Sequence, residues 1–184
     1  AVALEFGVPL AVSDVSELPS DVVAATVAVN IDELGSVSRA LLNADCHVFV
    51  EKPGATSIAE AEGLVTLSIE RELILAGGFI ERFNPVMAGH RGKASRIVAW
   101  RTGPVTARVD CSVLDWMVHD LDLASYLTAS PMKVVRVRRS VGWVSVTLLG
   151  DDGQEVRLRV SEHAQRPRRT LWVDGARYDL CAHG

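Results

Sequence analysis

Three side chains in this sequence are of the types that move protons: Lys52, Asp115 and His119. Lys52 follows Val48-Phe49-Val50-Glu51, an apolar run that ends in an acid, and precedes Pro53. Such a run reads as a buried parallel strand that delivers charged side chains at its carboxyl end, the edge where open α/β sheets bind ligands. An amine held there loses part of its hydration, which suits it to proton transfer or to polarising an oxygen. The competing reading is an ordinary surface pair of Glu51 and Lys52. Asp115 and His119 stand four residues apart, on one face of a predicted helix. The carboxylate can accept the proton of one imidazole nitrogen and fix the tautomer, so that the other nitrogen serves as base. A purely structural acid–histidine pair is the alternative.

Asp120 and Asp122 follow at once and invite a metal reading. Only positions i, i+3 and i+4 of a helix converge, so His119 and Asp122 supply two ligands and nothing nearby completes a shell. No metal is expected. Arg82, in Ile80-Glu-Arg-Phe-Asn-Pro85 just beyond Gly77-Gly78, has the fork that grips a carboxylate or phosphate. Arg101 and Arg108 flank Gly103-Pro104 and offer the same from a loop, with a solvated surface position as the default for all three. The sequence holds no Gly-x-Ser-x-Gly elbow and no P-loop.

The elements that must position these residues alternate in type. Strands are expected at Val8–Val12, Val22–Val29, His47–Val50 and Leu73–Ala76, with a loop or helical turn at Ser13–Ser20. Between them fall a helix capped by Asp32 or its neighbour, with a stripe of Leu34, Val37, Leu41 and Leu42, and a second helix. That one opens on a Ser57-Ile-Ala-Glu60 capping box, with Ile58, Ala61, Val65 and Ile69 on one side. Beyond Gly78 the pattern changes. A helical turn near Asn84–His90, a strand at Arg96–Arg101 and a helix over Leu114–Leu127, with Leu114, Val118 and Leu121 as its stripe, precede alternating strands at Val134–Arg138, Trp143–Leu149, Glu155–Val160 and Leu171–Val173. Turns are expected at Asp151-Asp-Gly153 and Asp174-Gly175. The fold class is therefore α/β with an α+β second part: a parallel sheet over residues 1–80, then an open, mostly antiparallel sheet over 81–184.

With 184 residues, 48% hydrophobic and 23% charged, the chain can bury a core and is not disordered. Its net charge of −4 argues against nucleic acid as a partner, and Arg166-Pro-Arg-Arg169 reads as a solvated turn. No apolar run approaches the length of a membrane span and no secretory signal is visible. Cys46, Cys111 and Cys181 are odd in number and widely spaced, as expected of reduced, buried thiols in a cytoplasmic protein.

Glu51-Lys52-Pro53 after the strand HVFV, Gly78-Phe-Ile-Glu-Arg-Phe-Asn-Pro85, and Leu114-Asp-Trp-Met-Val-His-Asp-Leu-Asp122 together resemble the glucose-fructose oxidoreductase / inositol dehydrogenase (Gfo/Idh/MocA) family. With Arg101-Thr-Gly-Pro104 the likeness is to the branch acting on nucleotide-linked or amino sugars, and it covers about residues 1–140. The resemblance implies an incomplete Rossmann domain at 1–80 and a substrate and oligomerisation domain at 81–184. It implies NAD or NADP as cofactor, a small sugar as substrate, hydride transfer at a hydroxyl or carbonyl, and a homo-oligomer formed through the carboxyl-terminal sheet. Carried over, Lys52 lies between nicotinamide and the reacting oxygen, His119 is the general acid/base and Asp115 orients it. Glu51 and Pro53 line the ribose side, Asn30 stands where the family usually has Thr-Pro, and Arg82 lies near cofactor or substrate. The glycine-rich fingerprint G-x-G-x-x-G does not occur in these residues and is expected ahead of Ala1, where the opening reads as entered within a helix. The alternative is a catalytically inactive member serving as a binding or assembly subunit; a metal-dependent hydrolase built on His119 and Asp122 is a weaker third.

Overall fold

The computed structural model describes residues 5–87, 90, 93–104 and 113–181. The chain divides into two compact units, Ala1–Gly78 and Phe79–Gly184.

The first unit is a three-stranded parallel sheet with two crossover helices. β1 (Ala24–Val27), α1 (Ile31–Asn43), β2 (His47–Glu51), α2 (Ile58–Glu70) and β3 (Leu75–Gly78) follow one another, and the strands lie in the order β1-β2-β3. The registers pair Val27 with Val50 and Glu51 with Gly78, so all three carboxyl ends share one edge. Leu34, Leu41 and Leu42 of α1 and Leu64 of α2 pack on Val27, Val48 and Val50. Only one sheet face is covered in this way, and Phe49, on the other, is exposed. The expected run of buried residues from Val22 to Val29 therefore shrinks to four strand residues of which Val27 alone is buried. Val8–Val12 is not a strand, and a 3-10 turn at Val15–Glu17 follows it, begun by Asp14, whose Oδ1 accepts the Ser16 amide at 2.8 Å.

The caps differ in detail from expectation. Asn30, not Asp32, is the residue before α1, and Asp32 and Glu33 occupy the first turn, where they favour the helix dipole. Ser57 caps α2 by accepting the Glu60 amide at 3.2 Å, whereas Glu60 turns back to the Thr56 amide at 2.8 Å. The predicted stripe of α2 faces outward: Ile58, Val65 and Ile69 are exposed, and Leu64 and Ser68 face the core. This helix carries apolar residues all round, so periodicity alone does not choose the buried side.

The second unit is a six-stranded sheet with one helix across it. β4 (Arg96–Thr102) comes first, then a π-helical turn (Val113–Met117) running into α3 (Val118–Thr128). The strands β5 (Met132–Ser140), β6 (Trp143–Gly150), β7 (Glu155–Ser161), β8 (Arg168–Val173) and β9 (Ala176–Asp179) follow. The order is β5-β6-β7-β4-β8-β9, with β4–β7 parallel and every other pair antiparallel. One sheet face, with Ile97, Ala99, Val156, Leu158, Val160 and Leu171, packs against Met117, Leu123, Ala124 and Leu127. The buried stripe of α3 thus runs Met117, Asp120, Leu123, Ala124 and Leu127, while Val118 and Leu121 are only half-buried, and the side chain of Leu114 lies outside the described residues. Arg168 and Arg169, expected in a solvated turn, are the first residues of β8. Cys46 is buried as expected, Cys181 is exposed instead, and Cys111 falls outside the described residues. Among the described residues no helix is long and apolar enough to cross a membrane.

Candidate active-site residues

The carboxyl edge of the parallel sheet gathers four of the predicted residues. Asn30 follows β1 and opens α1; its Nδ2 donates to Glu33 Oε2 at 3.2 Å, and its side chain does not cap the helix. Glu51 ends β2, and its Oε2 accepts the backbone amide of Lys52 at 3.3 Å. Lys52 and Pro53 come next, both half-buried, joined by a cis peptide bond. On β3, opposite Glu51, stands Gly78, where a Cβ would lie 3.3 Å from Glu51 Oε2; the missing side chain leaves the carboxylate its place. An amide, a carboxylate and an amine on the carboxyl edge of parallel strands suit the hydroxyls of a ribose and the carboxamide of a nicotinamide, groups that both donate and accept hydrogen bonds. This donor set fits that half of a dinucleotide.

The second unit supplies the predicted Asp115 and His119 from one helical segment. Asp115 lies in the π turn and His119 in the first turn of α3, both half-buried. Their neighbours fix the segment. Asp120 is buried and accepts from Arg101 of β4 with both oxygens, Nε to Oδ2 at 3.2 Å and Nη2 to Oδ1 at 2.8 Å. The same guanidinium reaches Glu81 Oε1 at 3.2 Å. Glu81 also accepts from Asn84 Nδ2 at 3.0 Å and stands 3.5 Å from Arg169 Nη1. Burial opposes the charge on Arg101, but hydrogen bonding and attraction to Asp120, with Glu81 adding to both, prevail and hold it above the ordinary arginine range. Burial lifts the Asp120 carboxyl, against the pull of its bond to Arg101. Arg101 is therefore a buried tie between β4, α3 and the 3-10 turn Ile80–Phe83, not a solvated loop residue.

Arg82 makes the forked contact its sequence context suggests, and the partner is the protein's own Asp122. Nε donates to Oδ2 at 2.8 Å and Nη2 donates to Oδ1. The guanidinium also lies over Tyr126 at 5.2 Å and Phe79 at 5.7 Å. This bond raises Arg82 above the usual arginine range. Asp122 is thereby committed to a guanidinium, and no group of three metal-ligating side chains occurs among the described residues. Arg108 lies outside the described residues. Sequence reasoning missed Glu81 and Asn84, and considered Asp120 only for a metal, whereas it binds Arg101. The signal for Asp120 was its place three residues beyond Met117 on the inward face; for Arg101 it was strand alternation with Ile97 and Ala99.

A βαβαβ unit with hydrogen-bonding groups on its carboxyl edge is a Rossmann-like arrangement, and a helix-backed open sheet follows it in the chain. Residues 1–79 match the Gfo/Idh/MocA family model, described as "Oxidoreductase family, NAD-binding Rossmann fold". The chain is similar to the UDP-N-acetylglucosamine 3-dehydrogenase of Acidithiobacillus ferrooxidans, at 31% identity over 179 residues, which cover 87% of this chain and 56% of the relative. Its fold matches the structure of that organism's UDP-N-acetylglucosamine 3-dehydrogenase GnnA with a TM-score of 0.85 and 26% identity, over 98% of this chain and 65% of the other. A dehydrogenase (MviM) of Clostridium difficile shares the fold alone, at 18% identity and a TM-score of 0.82, over 97% of this chain and 63% of the other. The chain thus spans little more than half the length of its curated relative.

Proposed function

We propose that this chain carries the substrate-handling residues of an NAD(P)-dependent oxidoreductase that acts on a nucleotide-linked sugar. When bound, the nicotinamide cofactor supplies the hydride acceptor or donor; Asn30, Glu51, Lys52 and Pro53 would hold its ribose and nicotinamide half. Lys52 stabilises the substrate oxygen as charge develops on it, and His119 takes or returns the hydroxyl proton. Asp115 keeps His119 in the tautomer that does this. Arg82 acts from one remove, because its fork is filled by Asp122. What carries this reading is the placement of Lys52, directly after the middle strand of a parallel sheet whose residues match a family of NAD-binding Rossmann oxidoreductases.

The test is NAD(P)-dependent oxidation of UDP-N-acetylglucosamine and related sugars by the protein in its natural full length. Lys52→Ala and His119→Ala are each expected to lower turnover at least about a hundredfold, the usual scale of lost acid–base catalysis. Near-normal rates in either variant would remove that residue's role. If the protein neither turned over such sugars nor bound NADH or NADPH, a binding or assembly role would replace the reading.

A further inference from the structure

The carboxyl ends of the parallel pair β4 and β7 meet the helical segment that carries Asp115 and His119. Arg101 and Val160 are register partners on the sheet face that α3 covers. Two residues further along each chain stand Gly103 and Glu162, and alternation keeps both on that face. The pairing runs on past the strand ends: the Gly103 amide donates to the Ser161 carbonyl at 3.0 Å, and the Ala164 amide donates to the Gly103 carbonyl at 3.1 Å. A Cβ on Gly103 would fall 2.8 Å from Trp116 Cη2, so the indole lies directly on this end of β4. Trp116 at one end and Asp120, bonded to Arg101, at the other thus hold the Asp115–Asp120 segment against the strand. Glu162 stands on the adjoining strand. It is 3% exposed, and its backbone amide donates to the Gly142 carbonyl at 2.8 Å. Its Oε1 is buried and has no hydrogen-bond partner among the described residues. Arg101, the buried cation of this face, is given to Asp120 and Glu81 instead.

Taking a carboxyl oxygen out of water without giving it a donor is costly, and native proteins keep few such groups. A carboxylate is an acceptor only, so what suits Glu162 is a donor brought from outside the protein. We propose that Glu162 is a specificity residue for the sugar: its carboxylate accepts from a hydroxyl or acetamido N–H other than the group that is oxidised, with the Trp116 indole as the apolar surface beside it. The proposal deepens the oxidoreductase reading and rests on it for the class of ligand. The same burial that makes Glu162 a liability in the free protein makes its hydrogen bond to the sugar strong, because no water competes for the oxygen.

The experiment compares the full-length parent with Glu162→Gln and Glu162→Met. It measures calorimetric binding of UDP-N-acetylglucosamine, NAD(P)-dependent turnover of that sugar, and urea unfolding without ligand. Glu162→Met should weaken binding and raise KM at least about tenfold, the effect of losing a hydrogen bond to a charged group. Its kcat should stay within about threefold, because the bond is made before and during the reaction alike. Glu162→Gln keeps an uncharged acceptor and should fall between parent and Glu162→Met. Without ligand, Glu162→Met should raise the urea midpoint by at least about 0.5 M, since an unpaired acceptor is no longer buried. A glutamate with a structural role alone would lower that midpoint and leave the sugar affinity as it was. Nucleotide sugars lacking the 4-hydroxyl, the 6-hydroxyl or the acetamido group locate the donor: one of them should bind the parent and Glu162→Met equally well. The proposal is overturned if both variants bind the sugar as well as the parent, if both lower the urea midpoint, or if every analogue still binds the parent better than Glu162→Met. Turnover that persists through any of these outcomes leaves the oxidoreductase reading standing. Binding that depends on Glu162 without turnover removes that reading and keeps the sugar contact, and a parent that binds no nucleotide sugar removes both.

Discussion

Glu81, Arg101 and Asp120 place two carboxylates on one guanidinium, with side chains 4%, 6% and 3% exposed. Removing the cation leaves Asp120 buried and unpaired and leaves Glu81 only Asn84 and Arg169, so Arg101→Met should cost about 3–5 kcal/mol of stability, the range found when one partner of a buried pair is deleted. Replacing all three at once, Glu81→Leu with Arg101→Met and Asp120→Leu, should recover most of that loss, since no charge then remains buried without its partner. Urea unfolding of the three proteins decides the matter; a triple variant as unstable as Arg101→Met would show that packing, not charge, is what the network provides. Much of this was legible in Arg96-Ile-Val-Ala-Trp-Arg-Thr102, where alternation puts Arg101 on the side of Ile97 and Ala99. What could not be read was its partner. Asp120 lies nineteen positions away, and the pairing exists only because α3 packs on the sheet face that carries Arg101.

The helix α1 contains a glycine where no helix-favouring rule asks for one. A Cβ on Gly35 would fall 2.0 Å from Glu60 Oε1, and that carboxylate is tied to the Thr56 amide and hydroxyl. In an open helix, glycine to alanine gains about 1 kcal/mol from propensity. Here Gly35→Ala should destabilise, because Glu60 must abandon Thr56 to make room. In a Glu60→Ala background the same change should stabilise by about 1 kcal/mol, a sign reversal that only residues in contact can produce. A double-mutant cycle read by thermal unfolding checks this, and additive effects would refute the contact. The capping box starting at Ser57 was visible in the sequence, as were β2, α1 and strands β4 to β8. The outward turn of Ile58, Val65 and Ile69 was not visible. Leu64 and Ser68 form an equally regular stripe, and the choice falls to whichever side fits the sheet.

The two units bury different amounts of apolar surface. Among the described residues, eight buried side chains make the core of the first and sixteen that of the second. The first also leaves Val23, Phe49, Ile58, Ile69 and Ile74 exposed, and of these Phe49 lies on the sheet face that the two helices do not cover. Parallel strands are ordinarily buried on both faces. The second unit is a different case, its strands β4, β7 and β8 lying inside the sheet and its inner face closed by α3. That strand order was beyond the sequence: β4 sits between β7 and β8, more than fifty positions downstream, and no local pattern reports it. Local opening free energy follows buried apolar contact, so the first unit should open before the second. Native-state hydrogen exchange should find the amides of β1 to β3 less protected than those of β4, β7 and β8. A hydrophobic dye should bind the 184-residue protein, and at low urea its signal should rise before the β-sheet dichroism falls. Equal protection in the two sheets would mean that both units open as one, and that the uncovered face of the smaller sheet costs it nothing.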